Sequence, residues 1–296
     1  MSLPTHIDQP GPAAAERILA VEARGRAFEM VLQAGLPLLE AVRRGFAAEG
    51  FAGGVVEFEQ LTLAPFGYVM PALSETGENA AFYSAIFRPE GVTRLESGAM
   101  TFGQRDGQPF FHTHALWREA DGKRCGGHIL PEETTVASET RVSAFGLDGA
   151  GFEARLDPET NFKLFEPVPR PIAGAKNDAK TDIKTDARAF ALRLRPNQDF
   201  AGCLEAFCAA HGIARATLRG GVGSTIGARF EHGVVIENFA TEIYLRNSRI
   251  APGPDGGHVA TLEIGLVDYT GQMAQGRLKR GQNPVLMTME LVLVAD

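Results

Sequence analysis

The chain repeats itself, and this limits the folds open to it more than any other feature. Residues 27–32 read as a strand, and residues 36–50 as an amphipathic helix ending at Gly50, a natural C-cap. The same order returns in residues 189–195 and 200–212. Overlaying the halves sets Leu32 on Leu194, Phe46 on Cys208 and Gly50 on Gly212; further on, Gly122 falls on Gly271 and Leu130 on Lys279. A repeat of this length means two copies of one domain, not one large core. Short β-rich runs follow the first helix at 54–63, 83–87, 92–101, 109–117, 123–130 and 134–147. The expected class is α+β: two tandem domains, each a mainly antiparallel sheet with one main amphipathic helix. The expected boundaries are 14–170 for the first copy, 171–187 for a linker and 188–296 for the second. Residues 173–186 alternate Lys with Asp and lack aromatics, as a solvated linker does. Phe162, Leu164 and Phe165, just before it, are expected to pack on the first copy. Residues 1–12, rich in Pro and Gly, are expected to be disordered, and 13–22 to form a short helix or an arm.

Residues 110–130 hold three of the seven histidines. His112 and His114 are two apart, so in a strand they share a face. Ala120-Asp121-Gly122 reads as a three-residue hairpin loop closed by a left-handed glycine. Counting back from it, Glu119 faces Lys123, His114 faces His128, and His112 lies diagonal to His128. A two-residue loop would slip the register by one and throw His128 to the other face, so the convergence depends on the loop type. Neutral imidazole suits zinc, iron, copper or nickel, and three protein ligands leave one coordination position open. The alternative is three hydrogen-bonded histidines on a polar sheet face. Gly126-Gly127 strips two side chains from the return strand and permits a bulge or a close approach. Alternation from His128 puts Cys125 on the opposite side.

The pattern His-x-His, Asp-Gly, Gly-Gly-His, within a segment from about Phe28 to Leu147, resembles the PPC domain, the plant-and-prokaryote conserved domain that accompanies AT-hooks in plants. The resemblance implies an α+β domain with an antiparallel sheet, usually self-associated as a trimer; two copies per chain would also allow a pseudo-trimeric ring. It also implies a divalent metal, generally zinc, on His112, His114 and His128. Bacterial members are commonly labelled candidate DNA-binding proteins. The second copy departs from the pattern: Thr261, Glu263 and Arg277 stand where the histidines would be, so its metal site is degenerate. Tyr269-Thr270-Gly271 should repeat the loop, leaving Glu263 opposite Arg277 as a charge pair in place of the ion.

Composition narrows the function classes. The chain is 44% hydrophobic and 22% charged, as soluble globular proteins are, and no apolar run reaches membrane-span length. The N-terminus lacks the pattern of a signal peptide, and Cys125, Cys203 and Cys208 do not make a disulfide framework; a cytoplasmic protein is expected. A net charge of −7 disfavours binding to a phosphate backbone. Arg24-Gly25-Arg26 has the core of an AT-hook, but Ala27 follows where Pro is wanted and Glu22 and Glu29 are near; it reads as a strand entrance with two solvated arginines. Gly220 to Thr225 is glycine-rich without the lysine of a P-loop and reads as a turn between strands. His211, His232 and His258 read as ordinary surface histidines. The first function expected is a metal-binding protein with a binding or regulatory role. The alternative is a metal-dependent enzyme, a hydrolase or lyase acting on a small anionic substrate, with Glu119, Arg118, Arg124 or Arg141 as acid-base group or anion clamp. The third is a DNA binder. The sequence assigns no catalytic residue.

Overall fold

The structure, a computed structural model, describes residues 4–171 and 186–296. The first copy runs β1 (Ile18–Leu32), α1 (Leu38–Ala48), β2 (Gly54–Phe58), the short strands β3 (Thr62–Leu63) and β4 (Tyr68–Val69), the small hairpin β5 (Pro71–Leu73) and β6 (Ala81–Tyr83), then β7 (Thr93–Arg105), β8 (Gln108–Arg118), β9 (Arg124–Ile129), β10 (Thr140–Asp148), β11 (Ala150–Asp157) and β12 (Phe162–Pro169). The second runs β13 (Ala187–Leu194), α2 (Phe200–Ala210), β14 (Ala216–Arg229), β15 (Val235–Pro252), β16 (His258–Asp268), β17 (Met273–Arg277) and β18 (Val285–Ala295). The fold is α+β, and the strand order carries the repeat. From the middle of the main sheet outward, one half reads β1-β10-β2-β7-β8-β9 and the other β13-β18-β14-β15-β16-β17. The halves meet where β1 pairs antiparallel with β13, from Ile18 opposite Leu194 to Gly25 opposite Ala187.

Each helix closes a core of its own. Leu38, Ala41, Val42 and Phe46 form the buried stripe of α1, and Gly50, at φ +81°, ends the helix in the left-handed region. Asp199 caps α2 by accepting the Gly202 N–H, and Phe200, Leu204, Phe207 and Cys208 face inward. Trp117 and Phe111 are fully buried under α1; each large apolar side chain so buried contributes about 1.5–3 kcal/mol. Further clusters join the copies: Val55, Phe145 and Phe152 meet Ala189, Val292 and Val294, while Ala99 and Leu116 meet Val222, Tyr244 and Val267. No helix among the described residues is long and apolar enough to cross a membrane.

Several local expectations are overturned by tertiary contacts. β1 begins at Ile18, not residue 27, because β13 supplies a second partner for its first half. Arg24-Gly25-Arg26 is therefore strand interior rather than an entrance. Gly25 is paired on both sides, and Arg26 binds Glu49 at 2.8 Å over the Phe51 ring. Residues 4–17 form no helix and instead run as an extended arm, with Ile7 bonded to Asn197, Gly11 to Glu159, and Arg17 to both Glu159 oxygens at 2.8 Å. The 83–87 run is reduced to β6 and a single bridge from Phe87 to Tyr68. Gly220 to Thr225 lies inside β14, not in a turn. Gly220 (φ +56°) and Gly221 (φ +114°) form a bulge, and Gly220 sits against Val55 of the other copy, where a Cβ would collide. The predicted linker lies almost wholly in 172–185, outside the described residues. Phe162 and Phe165 do pack on first-copy aromatics, yet the acids of the same hairpin hold second-copy arginines: Arg193, fully buried, contacts Asp157 and Glu166, each at 2.9 Å.

Candidate metal centre

The β8–β9 loop spans Ala120 to Gly122: the Glu119 N–H donates to the Lys123 carbonyl at 2.8 Å, and Gly122 takes φ +90°. That fixes His114 opposite His128. The ring centroids are 4.6 Å apart for His112–His114, 5.0 Å for His112–His128 and 5.4 Å for His114–His128. One ring nitrogen from each lies within 4.8 Å of the others, a group that could hold a metal ion. All three rings are buried. The close approach foreseen at Gly126-Gly127 is present: Val267 of the second copy lies against Gly126, and the Val69 carbonyl against Gly127. Cys125 points into the α1 core beside Trp117, away from the histidines.

The second copy supplies the surroundings. His114 Nδ1 lies 3.0 Å from the Ile243 carbonyl, which can only accept, so the proton is on Nδ1 and Nε2 carries a lone pair. His112 Nδ1 lies 2.9 Å from Glu290 Oε2, and a carboxylate there imposes the same tautomer. The two Nε2 atoms then face each other at 3.1 Å. Two opposed lone pairs repel unless a cation or a proton lies between them. Glu242 brings Oε1 to 3.8 Å from His114 Nε2. Glu242 Oε2, Glu290 Oε1 and His128 Nδ1 are buried without a hydrogen-bond partner among the described residues. Such orphaned polar atoms are costly to bury, and a cation at the site offsets the cost for the oxygens. Burial, reinforced by the neighbouring His112, holds His114 and His128 well below the usual imidazole range, in the neutral form that binds metals. Burial pushes the Glu242 carboxyl well up. The donor set thus fits a divalent cation.

Two clefts flank the cluster. One reaches His112 and His114 past Phe82, Met287, Ser224 and Glu242; the other reaches His112 and His128 past Arg105, Lys163 and Glu290. The groups named from sequence as acid-base or anion-binding candidates line neither: Arg118 and Arg124 hold Glu96 on the outer surface, Arg141 holds Glu29, and Glu119 accepts from the Tyr68 hydroxyl. Glu242 and Glu290 take the neighbouring positions instead. Glu290 had a sequence signal, being the single charge in the apolar run Val285–Ala295.

In the second copy the hairpin register is as expected, Glu263 opposite Arg277 across a Tyr269–Gly271 loop with Gly271 at φ +86°. The charge pair is not: Arg277 reaches Glu231, in the turn between β14 and β15, at 3.4 Å, because that half-exposed edge leaves the guanidinium free to turn to another partner.

The Plants and Prokaryotes Conserved (PCC) domain model matches residues 182–295. No curated protein matches the chain. Among solved structures, a plant- and prokaryote-conserved protein from Pyrococcus horikoshii is similar at 19% identity and TM-score 0.40, covering 51% of this chain and 97% of its own. A metal-containing protein from Archaeoglobus fulgidus is similar at 19% identity and TM-score 0.38, covering 48% of this chain and 94% of its own. A candidate DNA-binding protein from Ralstonia eutropha has 16% identity and TM-score 0.33, with 48% and 90% covered. The match to the Plants and Prokaryotes Conserved domain model thus falls on residues 182–295, in the second copy.

Proposed function

We propose that this is a tandem PCC-domain protein whose first copy, residues 14–170, holds one divalent metal through His112, His114 and His128, and that its role is ligand binding of a regulatory kind. The observation that carries the reading is the pair of Nε2 atoms 3.1 Å apart, each with its Nδ1 held by an acceptor from the other copy, an arrangement that calls for a cation or a proton between them. Three imidazoles with an open position suit zinc. The degenerate copy, residues 188–296, completes the site by contributing Glu290, Ile243 and Glu242. The three unpaired cysteines fit a reducing compartment.

An enzymatic reading, hydrolase or lyase, has its own support. Arg105 and Lys163 line one cleft and suit a small anionic substrate, while Glu242 lines the other as a buried carboxyl with one oxygen unpartnered among the described residues. A bound zinc would supply Lewis acidity and a water of lowered pKa. DNA binding has less support, since the chain is acidic and the Arg24–Arg26 segment is locked into the sheet.

Metal analysis of the purified chain tests the proposal. One equivalent is expected in the native protein and none after substitution of all three histidines by alanine; a full equivalent in that variant overturns it. A gel shift at nanomolar concentration and physiological salt, with a steep salt slope, would move DNA to the front.

A further inference from the structure

The cleft over His112 and His114 has a lining that metal binding alone does not use. Phe162 lines it, 5.6 Å from the Phe82 ring and 5.7 Å from Tyr83, and Tyr83 sets its ring at 5.2 Å from His128. Met287 and Leu286 form part of the facing wall, from the second copy. Phe82 is 52% exposed and stands at the mouth. The cleft's accessible volume is about 60 Å³, room for a compact head near the titratable groups, with any larger body held at the open end against the aromatic rings. The polar groups in it are few. The Ser224 hydroxyl oxygen accepts from the Met287 N–H at 3.0 Å and keeps its own proton to donate. Glu242, 6% exposed, has an oxygen with no partner among the described residues.

We propose that this cleft binds a small molecule with a flat apolar or aromatic body and a compact head that pairs an oxygen donor for the metal with an O–H or N–H for Glu242, the chemistry of hydroxamic acids and catechols. The inference rests on the metal assignment above and adds the ligand class. A small aliphatic anion would leave the aromatic wall against water and place its charge beside Glu242. A planar ring buries against Phe82 and Phe162, and the donor hydrogen of its head satisfies the orphaned Glu242 oxygen.

The test uses the full chain loaded with Co(II), whose visible spectrum reports both metal loading and a ligand entering its coordination sphere. Benzohydroxamate and acetohydroxamate share one head and differ in the ring. Partial burial of the ring should make the first bind about 5–10-fold more tightly. Phe162→Ala and the half-exposed Phe82→Ala should each keep one equivalent of cobalt and cut that preference several-fold. Glu242→Gln should weaken both probes by about tenfold. Equal binding of the two probes to the native protein, or a preference untouched in both phenylalanine variants, overturns the ligand class while leaving the metal assignment standing. Absence of a cobalt spectrum before any probe is added overturns the metal assignment, and the ligand class with it.

Discussion

The hairpins β8–β9 and β16–β17 share a loop length, a left-handed glycine and a register, yet they end in opposite environments. In the first, His114 and His128 are 4% and 7% exposed. In the second, the matching Glu263 and Arg277 are cross-strand neighbours, but the Arg277 side chain is 51% exposed and held by Glu231. The difference lies in what covers the shared face. β14, β15 and β18 of the second copy lie over the histidines and bring Ser224, Glu242, Ile243 and Glu290; the Arg277 end of the second hairpin stays open. Register alone therefore makes a constellation possible, and cover by the partner copy decides whether it becomes a site.

The comparison breaks most sharply at the metal. Saturating zinc at about 100 times its dissociation constant should stabilise the native protein by about 2.7 kcal/mol in thermal unfolding. It should do nothing for the triple-alanine variant at His112, His114 and His128. The pair of changes Glu263→Ala and Arg277→Ala should leave the zinc effect whole; its loss would mean the second hairpin is also a site. Next in size, Glu290→Ala removes the acceptor that orients His112 and should weaken metal binding about 10–100-fold, with partial recovery in Glu290→Gln, whose amide oxygen still accepts. Equal loss in both would point to charge rather than orientation.

The loops themselves should behave alike. Gly122→Ala and Gly271→Ala each place a Cβ at a left-handed φ and should cost about 1–2 kcal/mol in denaturant unfolding. Only the first should also weaken metal binding. The metal-free protein should in addition depend on pH through the first hairpin. His114 and His128 have folded pKa values below 6.5, so below about pH 6.5 the unfolded chain takes up more protons. Their contribution is whole above that pH and is lost as pH falls toward the folded values. Glu242, raised above 4.5, has the opposite sign: its contribution is present below about pH 4.5 and is lost as pH rises. His114→Gln should flatten the acid limb of a melting-temperature profile, and Glu242→Gln the limb on the other side. The smallest effect belongs to Arg277→Ala, an exposed pair, at about 0.5 kcal/mol or less.

Much of this architecture was legible in the chain. Alternation placed His112 and His114 on one face, and loop chemistry at Asp121-Gly122 and Thr270-Gly271 gave both registers. These are properties of a few consecutive residues. The two helices could be read as well, since their apolar stripes and terminal glycines are equally local. Arg24–Arg26 and Gly220 to Thr225 were misread for the converse reason. β13 pairing along β1, and Val55 pressing on Gly220, come from residues far away in sequence.

The sequence by itself determined the repeat, the strand and helix order, and which three imidazoles could meet. Only the tertiary structure decided that they meet beneath the second copy, with Ile243 and Glu290 reaching across 129 and 178 residues to set their tautomers and Glu242 buried beside them. A strand's period and a loop's length act over a few bonds, whereas burial and pairing across a copy interface depend on how two sheets pack, and no local pattern encodes that.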